Sequence, residues 1–465
     1  MRKFVLVCLI IFGIVFIFRP QLIIGDQNEP EQLESMGPLE LAEEKVSETE
    51  DDFYKEIELF TDALTLIRSD YVEDTKYKDL IYGALKGMLS SLDPYSQFLD
   101  PDAYKEVKVE TEGEFGGLGI EITVKDGILT IISPIDDTPA FKVGLKADDK
   151  IVKIEDELTK EITLMEAVKK LRGKPGTKVN ITVMREGVAK LLDFTITRDI
   201  IKIKSIRKAK VFEGDIGYIR LSEFQERSPQ ELEEALRKLE KENMKSMILD
   251  LRNNPGGLLD SAVKVTEKFI PAGQVIVSTR GRMGRQNMVF KSGGRGKHRT
   301  CPMIVLISKG SASGSEIVAG AIQDYKRGIL LGTKSFGKGS VQTVVPLGDG
   351  SALRLTTSKY FTPSGRCIHE EGIEPDVVVE FDETQADMYQ EDESEKVFEE
   401  VVNQDNDEKE EDNDKNEVKT TLEEYMKEQG FYDNQLVRAV DLLKGIMFYQ
   451  KQEEKQEQVT QGSLN

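Results

Sequence analysis

The chain has 465 residues, with 84 acidic against 63 basic side chains, a net charge of −21 and a pI of about 4.8. That length accommodates two to four domains, and so acidic a balance argues against general nucleic-acid binding, which needs clustered Lys and Arg. Two histidines (His298, His369) and three cysteines (Cys8, Cys301, Cys367) with no Cys-x-x-Cys pair leave no metal-site spacing, no disulfide framework and little material for Ser–His–Asp chemistry. A Cys301–Cys367 bridge stays open, with nothing in the sequence to support it, and no metal or other cofactor is expected.

The first 25 residues carry Arg2-Lys3, an apolar run from Phe4 to Phe18, then Arg19-Pro20. This is the form of an export signal, without an Ala-x-Ala cleavage site. It predicts a signal peptide or a retained membrane anchor, and an extracytoplasmic location (periplasm or cell envelope) for the rest. Residues 26–52 are polar and acidic, a tether. In the region 53–104, Phe53, Ile57, Phe60, Leu64 and Ile67 recur at spacings of four and three, which predicts an amphipathic helix. A second helix is expected from Tyr77 to Leu92, stopping at "DPYSQFLDP".

Between 105 and 200 the pattern becomes short strands: "GGLGIEITV", "GILTIIS", "KIVKIED" and the hairpin "KVNITVMREG"/"AKLLDFTITR", with a helix at "TLMEAVKKLRG". Residues 201–381 alternate apolar strands ("IGYIRL", "SMILDLR", "PMIVLIS") with helix-compatible segments such as Ser228 to Asn243, the pattern of an α/β core. The stretch 382–419 is an acidic linker, with seven acids and two lysines between Gln404 and Asn416. Residues 420–465 form a helical tail, with Leu436, Val440, Leu443 and Met447 on one face, for the body or for another subunit.

One stretch tests the chemistry. "GTKSFGKGSVQ", residues 332–342, has the glycine–lysine spacing of a phosphate loop. A phosphate loop needs Ser or Thr after its lysine and a helix behind it. Here Gly339 follows, and then "SVQTVVPL", which alternates as a strand does. Upstream, "SKGSASGSEIVAGAIQDY" leads an apolar strand through a glycine turn into a helix starting at Ser313 to Glu316. A serine there sits beside unpaired N–H groups and the positive end of the helix dipole, where an oxyanion is stabilised. Serine needs a base; with histidine scarce, a lysine is the leading candidate, and it must be desolvated to act uncharged. The competing reading is structural: Ser313 and Glu316 have capping-box spacing.

Seven stretches in order resemble one family, the carboxyl-terminal processing (tail-specific) serine peptidases with an embedded PDZ domain: "LSSLDPYSQFL", "EGEFGGLGIEI", "SPIDDTPAFKVGLKADDKIVKIED", "LDLRNNPGG", "GSASGSEIVAGAIQD", "GTKSFGKGSVQT" and "YFTPSGRCIHEEGIEPDV". The resemblance spans roughly residues 54–381, with a weaker match in the tail at "DNQLVRAVDLL". It implies an α/β multidomain chain, with the PDZ domain inserted between an N-terminal helical region and an α/β Ser–Lys core of ClpP/crotonase-like type. By position it implies Ser313 as nucleophile, Lys338, 25 residues on, as general base, and Gln342 as the residue orienting the lysine amine. Backbone amides of Gly314 and of the "NNPGG" turn (Gly257, with Gly256 the alternative) would form the oxyanion hole. The family commonly has Ala where Gly314 stands. Lys334 is a rival base, and Ser311 and Ser315 are rival nucleophiles. Gly116, Gly117, Leu118, Gly119 and Ile120 would receive a peptide's terminal carboxylate. His369 is expected in a polar surface turn and His298 in an exposed loop. The implied activity is cleavage of proteins at or near free C-terminal tails, with protein or peptide substrates and an activator or adaptor protein as a further partner; the N-terminal helices and the helical tail after Leu422 are expected to build a dimer or larger ring. A non-catalytic PDZ adaptor is the alternative.

Overall fold

The computed structural model describes residues 50–125, 127–135, 137–294, 298–382 and 420–462. The export segment, most of the tether and nearly all of the acidic linker lie outside the described residues. Among those described, no helix is long and apolar enough to cross a membrane. They fall into two compact units: residues 50–104 with 342–356, and residues 105–341 with 357–462.

In the smaller unit, helices Glu50–Asp70 and Tyr77–Ser90 form where the apolar spacing predicts. The first leaves apolar side chains in solvent, with Phe53 60% and Leu59 64% exposed. The second stops because Asp93 folds the chain back. Its carboxylate accepts the N–H groups of Tyr95 (2.7 Å) and Ser96 (2.8 Å) and the Ser96 hydroxyl (2.7 Å), an Asx turn. The turn delivers the strand Gln97–Leu99, which runs antiparallel to residues 352–354. A helix that sequence periodicity misses, Pro101–Glu112, crosses the expected boundary between 104 and 105. Its signals were local: Asp100 Oδ1 accepts the Ala103 N–H at 2.9 Å, and Pro101 holds the first helical position.

In the larger unit, strands Ile120–Lys125, Ile128–Pro134, Lys150–Ile154, Lys178–Met184 and Leu192–Thr197 form an antiparallel sheet in that order. Alternation sets its faces: Val179, Ile181 and Val183 are buried, and Lys178 and Asn180 face out. Helix Leu164–Leu171 closes the core, opened by a Thr163–Glu166 capping box.

A second sheet has six strands in the order Ile206–Phe212, Ile216–Leu221, Ser246–Asp250, Met303–Ile307, Ile329–Gly332 and Val377–Val378. The first pair is antiparallel and the rest are parallel. Both faces are covered, which is why its strands read as continuous apolar runs. Met247, Leu249, Met303 and Val305 pack with helices Ser228–Lys241, Leu259–Thr266 and Gly314–Asp324. Ile248, Ile304, Leu306 and Leu331 face the other way and meet Tyr425, Met426, Leu436, Val440 and Leu443 of the tail. The tail therefore packs on the body of its own chain. It is two helices, Leu422–Gln429 and Asn434–Gly462, where periodicity predicts one; Gly430, left-handed at φ 68°, ends the first.

The segment from Thr111 to Glu114, which leads into the antiparallel module, bonds to chain beside the second sheet: Glu226 N–H to the Thr111 carbonyl at 3.2 Å, Ile203 N–H to the Gly113 carbonyl at 2.9 Å, and Arg227 to Glu114 at 3.1 Å. Beside them, burial and the Glu110 carboxylate push the Glu223 carboxyl up to about 7, against the pull of Gln225 and Arg207. A raised folded pKa means that the native state holds this proton more tightly than the unfolded chain does. The stability it contributes is complete below the ordinary value of 4.5 and lost as pH rises through about 7. Glu223→Gln cannot ionise. It is expected to raise the melting temperature above that of the wild type at pH 8 and to leave it unchanged near pH 4.5, in paired thermal melts.

Candidate active site

Two neighbouring parallel strands, Ser246–Asp250 and Met303–Ile307, deliver "LRNNPGG" and "SKGSAS" at their carboxyl ends, where open parallel sheets present their sites. Ser313 sits at the sharp turn into helix Gly314–Asp324, at φ 50° and ψ −109°. A non-glycine residue there costs about 1–3 kcal/mol and marks strain held by its surroundings. Its hydroxyl is buried and has no hydrogen-bond partner among the described residues. The capping reading therefore holds only in part. The Ser313 N–H donates to Glu316 Oε2 at 2.8 Å, but the Glu316 N–H goes to the Ser313 carbonyl at 2.9 Å, leaving the hydroxyl uncommitted.

The glycine turn lies against this serine. A methyl group on Gly256 would come within 2.7 Å of Ser313 Cβ and 2.8 Å of the Gly314 nitrogen. On Gly257, at φ 141°, it would meet the Phe224 carbonyl oxygen at 2.3 Å. Phe224 pins the turn from behind: its N–H donates to the Gly256 carbonyl at 2.8 Å, and the Leu258 N–H donates to its carbonyl at 2.7 Å. The geometry separates the two candidate donors. The Gly256 N–H is taken by Asn254 Oδ1 at 2.9 Å, whereas the N–H groups of Gly257 and Gly314 meet no acceptor among the described residues.

Lys338 arrives on the loop after the strand Ile329–Gly332 and is buried, with 5% of its surface exposed. Glu316 places it. This fully buried carboxylate accepts the Ser335 hydroxyl (2.6 Å) and Gly337 N–H (2.6 Å) on Oε1, and the N–H groups of Lys338 (2.9 Å) and Ser313 (2.8 Å) on Oε2. Burial pushes its carboxyl up, outweighing the pull of those bonds. One oxygen thus ties the backbone of Ser313 to that of Lys338. Sequence reading assigned Glu316 to helix capping alone, because its loop partners arrive from some twenty residues downstream.

The rivals are committed elsewhere. Lys334 is half-exposed and pairs with Glu374 at 2.7 Å. The Ser311 hydroxyl donates to the Leu251 carbonyl at 2.7 Å, and that of Ser315 to the Asn254 carbonyl at 2.9 Å. Gln342 belongs to the smaller unit, where it is buried and donates from Nε2 to Thr356 Oγ1 at 2.8 Å; the Thr356 hydroxyl donates to Asp93 at 3.0 Å. His298 is exposed, as expected. His369 lies in a turn, as expected, but its side chain is only 18% exposed, because its backbone backs directly onto Gly339, where a methyl group would lie 2.1 Å from the His369 nitrogen. Cys301 and Cys367 are free thiols. Among the described residues, no group of His, Cys, Asp and Glu could hold a metal ion.

In the antiparallel module, Gly116 and Gly117 are strand residues paired with Ile200 and Asp199. The N–H groups of Leu118 and Gly119 meet no acceptor among the described residues. Gly119, at φ 79°, has no room for a side chain, since a methyl group would meet Thr138 at 2.3 Å. Gly117, Leu118, Gly119 and Ile120 open onto a groove walled by Phe115, Ile122, Val168, Leu171 and Arg172, and Gly116 does not line it.

Comparison with known proteins agrees with this layout. The profile of peptidase family S41 matches residues 215–379, a PDZ-domain profile matches residues 116–196, and that of the activating protease CtpB N-terminal domain matches residues 22–103. The carboxy-terminal-processing protease of Bartonella bacilliformis is 48% identical over 344 residues, covering 73% of this chain and 79% of that protein. The chain belongs to the carboxy-terminal-processing proteases of peptidase family S41. The carboxy-terminal processing protease CtpB of Bacillus subtilis is 38% identical over 320 residues, 68% of this S41 peptidase and 66% of the relative. Among solved structures, the photosystem II D1 C-terminal processing protease aligns at 28% identity and a TM-score of 0.41, over 69% of this chain and 92% of that one. This S41 peptidase is a serine-type protease carrying a PDZ domain.

Proposed function

We propose that this serine protease is an exported endopeptidase that cleaves proteins at or near free C-terminal tails with a Ser313–Lys338 dyad. The observation that carries the dyad is the shared Glu316 oxygen: it holds the N–H of Ser313 and that of Lys338 at 2.8 and 2.9 Å, beside a serine hydroxyl with no other partner among the described residues. Lys338 Nζ, uncharged, takes the Ser313 proton as Oγ attacks the scissile carbonyl. The new oxyanion faces the N–H groups of Gly257 and Gly314. The C–N bond then breaks, the lysine returns the proton to the leaving amine, and water releases the acyl group by the same route. Gln342, four residues after the lysine, receives the orienting role from its place in the motif.

The tail carboxylate is received by the Leu118 and Gly119 amides, within the loop from Gly116 to Ile120, and the peptide adds as a strand beside Ile120–Lys125. The PDZ domain gates access. The N-terminal segment directs export to the periplasm or cell envelope, as a cleaved signal or as an anchor in the inner membrane. The exposed apolar side chains of Glu50–Asp70 suit self-association, and an activator or adaptor protein is a further partner.

The test pairs two substrates that differ only at the tail, one a free carboxylate and one amidated. The amidated tail is expected to be cut at least tenfold more slowly at sub-saturating concentration, because it cannot accept both amides as an anion. A fluorophosphonate probe should mark Ser313 by mass spectrometry. Equal cutting of the two tails removes the tail-capture reading, and labelling of another residue removes the nucleophile.

A further inference from the structure

The C-terminal segment does more than cover an apolar face. Arg252 stands two residues after the strand Ser246–Asp250 and begins the turn that ends at Gly257. Its guanidinium is buried, at 8% exposed. Nε and Nη2 donate to the carboxylate of Asp250 at 3.0 and 2.7 Å. Nη1 and Nη2 donate to the two oxygens of Asp433, at 2.8 and 2.7 Å, across 181 residues of sequence. Gln435 Oε1 accepts from Nη1 at 3.0 Å, while its own Nε2 donates to the Val379 carbonyl at 2.7 Å. Asp433 is itself fixed, because its Oδ1 also accepts the Leu436 N–H at 2.9 Å at the start of the tail helix. Charged bidentate pairs of this kind impose geometry as well as attraction.

From Arg252 the backbone passes directly into the site. The Asn253 N–H donates to the Ser308 hydroxyl at 3.1 Å. The Asn254 carbonyl accepts the Ala312 N–H at 3.0 Å and the Ser315 hydroxyl at 2.9 Å, and its Oδ1 accepts the Gly256 N–H at 2.9 Å. A shift of Arg252 would be felt where Gly257 and Gly314 present their amides.

We infer that Asp433 is a positioning residue for the oxyanion turn: the tail's carboxylate clamps Arg252, so that the peptidase site is complete only when its own C-terminal segment is docked. The inference rests on Gly257 and Gly314 being the oxyanion donors.

The test uses the full chain. Asp433→Asn keeps the volume but turns one acceptor into a donor facing the guanidinium. It is expected to lower kcat roughly tenfold or more, a fraction of what loss of an oxyanion donor costs, with KM within about twofold. It should weaken a peptide boronate, whose tetrahedral adduct needs those donors, by a similar factor, and leave PDZ affinity for a tail peptide unchanged. Asp433→Glu should recover most of the turnover. Leu443→Ala, on the same docking face but with no polar group to offer Arg252, is the control for stability. Turnover within twofold of wild type in Asp433→Asn overturns the inference, and so does an equal loss of kcat in Leu443→Ala at a matched melting temperature. Should Asp433→Asn fail to fold, Gln435→Ala takes its place, expected to lower kcat several-fold and read by the same criteria. Ser313→Ala is assayed in parallel. If it stays active, the failure belongs to the nucleophile assignment and not to the clamp.

Discussion

Ser313→Ala and Lys338→Ala are each expected to lower turnover of a tailed substrate on the order of 10⁴-fold or more, and the double variant to be no worse than either alone. The reason is that a nucleophile and its base act as a unit, so removing one forfeits the contribution of both. Neither change should unfold the protein. The Ser313 hydroxyl bonds nothing among the described residues, and the Lys338 loop is held through its own backbone: the Lys338 N–H donates to the Glu316 carboxylate at 2.9 Å, and the Gly337 carbonyl accepts the Glu370 N–H at 2.8 Å. The strained backbone of Ser313, at φ 50°, adds an independent check. Ser313→Gly relieves a conformation costing about 1–3 kcal/mol and should melt higher than Ser313→Ala while staying inactive. Circular dichroism and thermal melts establish folding, and single-turnover assays establish rate. Either alanine variant retaining a tenth of wild-type turnover would sink the dyad.

The second large effect belongs to Glu316. Glu316→Ala leaves the Ser313, Gly337 and Lys338 N–H groups and the Ser335 hydroxyl without their shared acceptor in a buried site. Each unsatisfied group costs about 1–3 kcal/mol, so a marked loss of stability is expected together with a fall in kcat of roughly 100-fold or more. Glu316→Gln separates the two effects. It keeps the size and one acceptor oxygen but aims an amide N–H₂ at groups that are themselves donors. It should fold, lose most of kcat and keep its affinity for tail peptides at the PDZ domain. A folded Glu316→Gln with kcat within twofold of wild type would mean that the shared carboxylate does not position the dyad.

How much of this was legible follows from what each feature depends on. The strands of the catalytic half were readable because both faces are buried, so "SMILD" and "MIVLI" carry no polar alternation. The helix Pro101–Glu112 was not, because Val107 is its one buried residue and so it writes no apolar stripe. The partial burial of His369 was not readable for a related reason: "RCIHEEG" is polar and marks the turn, and only packing behind Gly339 partly covers the side chain. The candidate serine, lysine and glycine turn were picked out by local chemistry and motif order. The choice between Gly256 and Gly257 was not open to sequence, since it turns on a single Asn254 side-chain bond that occupies one N–H and leaves the other.

The sequence by itself determined the domain order and a candidate serine and lysine set 25 residues apart, with the glycines their turns require, because candidate nucleophile, candidate base and tight turn are read from residue type and short spacing. Tertiary structure alone decided which groups those residues answer to. Glu316 reached beyond its cap to the lysine loop, and Asp433 reached 181 residues back to Arg252. Hydrogen bonds and buried ion pairs act over about 3 Å of space, and only the folded sheet, closed on both faces, brings such distant stretches of chain that close.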